Sequence, residues 1–154
     1  MYLATVVLLM LVLPLASIVI EALLHGGADL WFLVGKWFVF WAVGVRLGLA
    51  GLRQTFNPAF TAQTIFGLKD EAAFAIVREV GFGNLSMGAL GVASLFNRGW
   101  MLPAALCGGL YYGLAGIGHW RKGERNSHEN IALISDLLIF VLLACVFVAG
   151  LVQK

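Results

Sequence analysis

Eight polar residues stand out from an otherwise apolar chain, because their types can bind, pair or exchange protons: Arg46, Arg78, Glu79, Asn84, Tyr112, His119, Asn130 and Asp136. Arg46, Arg78, Glu79 and Asp136 lie inside or close to long hydrophobic runs. A charged side chain at membrane depth costs about 2.5–3.5 kcal/mol on insertion scales, so such groups are normally paired with one another or functional. Counted at about 1.5 Å per residue, each of the four falls roughly 10–12 Å along its helix from the same face. Two cations and two anions at one level can neutralise each other, and one wiring is Glu79 with Arg46 and Arg78 with Asp136. Arg78 and Glu79 are adjacent and point about 100° apart, so they address different neighbours. His119, Tyr112 and Asn130 fall nearby in depth. Two readings stay open: an ion-pair network that fixes helix order, and a polar pocket in which Glu79 and Asp136 exchange protons or hold a ligand, with His119 at its mouth. On either, Glu79→Gln is expected to impair folding or function and Asp70→Asn is not.

Composition says what must position these residues. Of 154 residues, 61% are hydrophobic and only 12% charged, against about 25% charged in an ordinary soluble domain. The mean hydropathy is +0.93. A soluble domain of this length has too little polar surface to coat so much apolar material, and lipid is the natural solvent. The net charge of +2 has no basic tract behind it, which excludes nucleic-acid binding. Cys107 and Cys145 sit in apolar runs without CxxC or zinc spacing and read as small buried hydrophobes. No catalytic motif, metal site or cofactor signature emerges.

In chain order, Met1 to Leu24 reads as a retained first helix, kinked by Pro14, with Glu21 and His25 four apart near its end. Asp29 caps a second helix from about Leu30 to Gly51, where Trp31, Trp37 and Trp41 suit a headgroup level and Lys36 snorkels outward. Leu52 to Lys69 is less hydrophobic and too short to span. It reads as an interfacial helix capped by Asn57, with Pro58 at its first position and Gly67 at its end. Asp70 to Phe96 is expected to be the central helix, with Gly81, Asn84, Gly88 and Gly91 forming one small-residue face. After the Asn97-Arg98-Gly99 turn, a helix from about Trp100 to Trp120 carries Gly109, Gly113 and Gly116 for close packing. The last helix is capped by Ser127 or Asn130 and runs to about Val152.

The expected fold is therefore all-α: a single transmembrane domain over residues 1–154, with five membrane helices (a four-helix core plus the N-terminal helix) and a short interfacial helix between helices two and three. Arg53, Lys69, Arg121, Lys122 and Arg125 fall on one side, which places the N-terminus in the cytoplasm and the C-terminus outside. The glycine faces of helices three and four offer surfaces for a homo-oligomer or larger membrane complex.

The stretch FNPAFTAQTIFGLKDEAAFAIVREVGFGNLSMGALGVASLF, then GGLYYGLAGIGHW and the Asn130/Asp136 pair, resembles a family of small uncharacterised prokaryotic membrane proteins over roughly residues 40–150, and distantly the DoxX-like four-helix membrane proteins. The resemblance implies a prokaryotic inner membrane. DoxX members are associated with membrane oxidoreductase complexes and with quinone or thiol stress. The carry-over is limited to Arg78, Glu79, Asn84, His119, Asn130 and Asp136. The leading expectation is a membrane binding or accessory module for a hydrophobic or anionic ligand or a partner subunit. The alternatives are a proton-coupled transporter or channel component and a quinone-linked redox component.

Overall fold

A computed structural model describes residues 2–25 and 29–152, and among these every regular element is helical. The elements are α1 (Tyr2–Leu24), α2 (Leu30–Phe56), a short α3 (Phe60–Ile65), α4 (Ala73–Ala93), α5 (Arg98–Arg121) and α6 (Ser127–Val152). Four of them, α1, α2, α5 and α6, are long and apolar enough to cross a membrane. The fifth long helix, α4, is more polar and is not among those four.

Local chemistry sets the ends. Asp29 Oδ1 accepts from Trp31 N at 2.9 Å to cap α2, and Asn57 Oδ1 faces Phe60 N at 3.4 Å at the start of α3. Gly67, at φ +69°, closes α3 in the left-handed region that suits glycine. Helix α6 is capped by neither Ser127 nor Asn130 but by Asn126. Its Oδ1 accepts from Glu129 N at 2.9 Å, while Glu129 Oε2 accepts from Asn126 N at 3.0 Å. This reciprocal box satisfies two otherwise orphaned donors. Pro14 is accommodated by a π-helical stretch, Leu8–Val12, immediately before it, a local widening that absorbs the missing donor.

Helix α2, not α4, is the one around which the others pack, since it touches α1, α4, α5 and α6, whereas α4 rests almost wholly on α2. The reason is a second glycine row that the sequence reading passed over. Gly44, Gly48 and Gly51 of α2 mesh with Gly81, Gly88 and Gly91 of α4, backbone on backbone. A Cβ on Gly88 would stand 2.7 Å from both Gly48 Cα and Gly48 N. Gly113 and Gly116 of α5 instead make room for the side chains of Phe140 and Leu137 of α6, and Gly109 packs against that of Leu143. These glycines are consumed inside the chain and are not free for a partner, which corrects the oligomer surface expected of them.

The apolar core is Val39, Ala42 and Val43 of α2 against Ala104, Ala105, Ile139 and Leu143, with Met10 of α1 closing one side. Lys36 does not snorkel outward. Its Nζ binds Glu21 at 2.7 Å, and Trp37 Nε1 donates to the same carboxylate at 2.7 Å, tying α1 to α2. Glu21 thus pairs with Lys36 rather than primarily with His25. Trp41 Nε1 donates to Ser17 Oγ at 3.0 Å one turn further in. Cys107 and Cys145 are exposed on the outside of the bundle rather than buried.

Candidate functional site

Between Val39 and Leu47, α2 opens into π-helical turns, a widening frequent at functional positions. Two polar contacts centre on it. The Ala42 carbonyl accepts a 2.6 Å hydrogen bond from Tyr112 Oη, which reaches across from α5 and is 2% exposed. Arg46 projects from the end of the same stretch, its guanidinium 5.9 Å from the Tyr2 ring centre at the start of α1. Asp136 of α6 is buried and lies within electrostatic reach of Arg46, yet among the described residues the two form no direct ion pair. Tyr111 and Tyr112 feel both charges. Tyr2 also packs edge-on against His128, with ring centres 5.1 Å apart.

Asn84 enters from α4 on the glycine face and is 1% exposed. Its Nδ2 donates to Gln54 Oε1 at 2.7 Å, and the Tyr111 hydroxyl lies beside it. Four elements therefore deliver one polar cluster: Arg46 and Gln54 from α2, Asn84 from α4, Tyr111 and Tyr112 from α5, and Asp136 from α6, with Tyr2 of α1 over the top. Within it, Arg46 Nε and Asn84 Oδ1 are buried without a hydrogen-bond partner. Buried polar atoms in folded proteins are nearly always satisfied, so an orphaned donor and an orphaned acceptor in one cluster need a reason.

Of the residues nominated from sequence, Arg46, Asn84, Tyr112 and Asp136 meet here. Arg78 and Glu79 do not. Both are exposed, and Arg78 Nε donates to the Thr55 carbonyl at 3.4 Å. The wiring of Glu79 to Arg46 and of Arg78 to Asp136 is absent, because nine residues are two and a half helical turns, so burying Gly88 against α2 turns Glu79 outward. His119 and Asn130 belong to a separate polar knot at the α5–α6 turn. Arg125 ties it together, donating to Asn130 Oδ1 at 3.0 Å and to the His119 carbonyl at 3.3 Å. Glu129, 2% exposed, binds Lys122 there at 2.5 Å. Asn126 Nδ2 reaches the Ile65 carbonyl at 3.1 Å, holding this turn against α3.

Three members of the cluster escaped the sequence reading: Tyr2, Tyr111 as a site residue, and Gln54. Gln54 had a signal, since it continues the spacing of Gly44, Gly48 and Gly51. Tyr2 had none, because its partners lie more than forty residues away in sequence.

An all-helical bundle with four membrane-length apolar helices and a buried polar cluster fits a membrane protein. The family model that matches it runs over residues 2–153, and the chain belongs to that family, described as a family of unknown function (DUF6790). The match takes in the first helix, which the sequence resemblance left outside. No curated protein and no solved structure shows a significant match, and the comparisons give the chain no DoxX-like relative.

Proposed function

We propose that the chain is a five-span integral membrane protein in which α4 also crosses the bilayer, and that it works as a binding or accessory module. Its ligand or partner group is seated at the Arg46–Asn84–Asp136 cluster. The observation that carries this is the pair of orphaned atoms, Arg46 Nε and Asn84 Oδ1. A donor and an acceptor left open inside lipid-embedded helices would be costly unless a third group completes them. Arg46 suits an anionic or carbonyl oxygen, including that of a quinone headgroup, since a guanidinium presents its donors in a fixed fork. Tyr2 and Tyr111 offer flat, partly apolar walls. The orientation that follows from the positive-inside rule puts the end bearing Arg53, Lys69 and Arg121–Arg125 in the cytoplasm.

Native mass spectrometry from gentle detergent tests the reading. Wild-type protein is expected to retain a small-molecule or lipid adduct, or a second subunit, that is lost from Arg46→Gln. Equal adduct content in both, or none in either, would contradict it. A second reading, proton transfer, draws on Asp136, a buried carboxylate among tyrosine hydroxyls without a direct cationic partner. It predicts proton uptake by wild-type proteoliposomes under an imposed gradient, abolished in Asp136→Asn.

A further inference from the structure

The end of the bundle away from the Arg46 cluster holds a cavity of about 390 Å³, where α1, the start of α2, the end of α4 and the start of α5 converge. Its lining carries two cations and two anions: Lys36, Arg98, Glu21 and Asp29. Lys36 and Glu21 neutralise each other at 2.7 Å. Arg98 and Asp29 do not meet, and neither has an ion-pair partner among the described residues. Asp29 commits one carboxylate oxygen, Oδ1, to Trp31 N. The Arg98 guanidinium lies 3.6 Å from the centre of the Phe32 ring. Such stacking covers the flat face of the guanidinium and leaves the N–H donors at its edge open. Ser94, 6% exposed, lines the cavity too. Its Oγ already donates to the Gly91 carbonyl at 2.7 Å, so it can only accept from a ligand. A smaller hollow of about 190 Å³ shares Asp29, Phe32 and Arg98 with the first and continues along Val146 and Ala149 of α6.

We infer that this cavity seats the headgroup of a membrane phospholipid that carries a phosphate ester and a primary ammonium, with the phosphate on Arg98 and the ammonium on Asp29 and Ser94. Charge sets the class. The four charged side chains sum to zero, which suits a zwitterion rather than an anion, and Arg98 and Asp29 stand apart to receive its two ends. A guanidinium edge matches phosphate oxygens with paired donors. The ammonium must carry hydrogens, because Asp29 and Ser94 offer acceptors. A quaternary ammonium is held instead by aromatic faces, and Phe32, the only ring lining the larger cavity among the described residues, is already stacked by Arg98. Position sets the source. The cavity lies at the ends of three membrane-length helices, α1, α2 and α5, where headgroups stand. Trp31 and Trp100 are exposed at the same end, as rings at the headgroup level are. Leu23, Leu24 and Leu30, close by in the chain, are exposed as well. The hollow along Val146 and Ala149 gives the first carbons of a lipid tail a course away from the headgroup, which a soluble zwitterion would not use. This site is separate from the Arg46 cluster and does not depend on what that cluster binds.

The test is native mass spectrometry of the full-length protein, delipidated in gentle detergent and titrated with phosphatidylethanolamine, phosphatidylcholine or phosphatidylglycerol. Wild type is expected to bind phosphatidylethanolamine at least about fivefold more tightly than either of the others. Arg98→Gln, at an exposed position, should weaken that binding by about tenfold. Asp29→Asn keeps a cap on α2, since asparagine caps as well as aspartate, but leaves the cavity with a net positive charge. It should turn the preference toward the anionic phosphatidylglycerol, a reversal that general damage to the protein would not give. Equal binding of the three lipids by wild type, or variants that keep its affinity and preference, would overturn the site. Soluble phosphoethanolamine separates the two sources of this chemistry. It should fail to displace the lipid at equal concentration, and displacement there would overturn the lipid as the occupant. Arg46→Gln should keep the wild-type preference for phosphatidylethanolamine, so a failure at the cluster and a failure here are read apart. Loss of that preference in Arg46→Gln would overturn a separate site.

Discussion

Replacing Gly88 with alanine adds one methyl group where α2 and α4 touch backbone to backbone. That carbon would lie 2.7 Å from Gly48 Cα and N and 3.0 Å from the Gly44 carbonyl oxygen. Carbon atoms rest at about 3.5–4.0 Å, so relief requires the helices to part by roughly 1 Å. All three obstructing atoms are main chain and cannot rotate away. Overpacking of this kind costs about 1–3 kcal/mol, and rigid neighbours place it at the upper end. Alanine returns about 1 kcal/mol through its better helix propensity, leaving a net loss of about 2 kcal/mol. Gly118 is the control: it too is helical, but nothing lies within 4 Å of its Cβ position. Gly118→Ala should therefore gain up to about 1 kcal/mol. Reversible unfolding in mixed micelles, followed by circular dichroism, measures both. Gly88→Ala as stable as wild type would refute the seam, because no side-chain adjustment can absorb that contact.

Tyr112→Phe removes the hydroxyl that satisfies the Ala42 carbonyl and is expected to cost about 0.6–1.5 kcal/mol in the same assay. Asn126→Ala opens the capping box of α6 and should cost about 1 kcal/mol, and hydrogen exchange should quicken in the first turn of α6 while the core stays protected. Arg46→Gln should fold, since a half-buried side chain without a direct ion pair is exchanged for a neutral donor, but should purify without the adduct of wild type.

Much of the fold was legible because lipid leaves few choices. Long apolar runs, Asp29 and Asn57 at helix starts and Gly67 at an end declared most of the helices from local chemistry alone. The glycine face at Gly81, Asn84, Gly88 and Gly91 was also visible as a spacing. Its partner was not read, because the matching row at Gly44, Gly48 and Gly51 lies inside an aromatic-rich helix. Missing that row made α4 look central when α2 is. The cluster was half legible for a related reason. Depth along a helix can be counted, so Arg46, Tyr112 and Asp136 fell at compatible levels, while Asn84 stood out through its place on the glycine face. Rotation about the axis cannot be counted without knowing the packed face, and Arg78 and Glu79 were placed inside on depth alone. Once the glycine face is fixed against α2, their outward direction follows from 100° per residue. With Glu79 exposed and without an ion pair among the described residues, Glu79→Gln is expected to leave folding unchanged. His119 and Asn130 share the end of the bundle with the cluster but are drawn off by Arg125, a contact between side chain and main chain that no periodicity announces.

Everything proposed for the cluster depends on α4 lying across the bilayer. Single cysteines at Lys69 and Arg98, both exposed positions flanking α4, can be introduced separately into the Cys107→Ser/Cys145→Ser background. They can then be labelled in intact cells with a membrane-impermeant maleimide, before and after permeabilisation. The five-span account predicts that Arg98→Cys reacts from outside in intact cells and that Lys69→Cys reacts only after permeabilisation. Both sites reacting from the same side would contradict it.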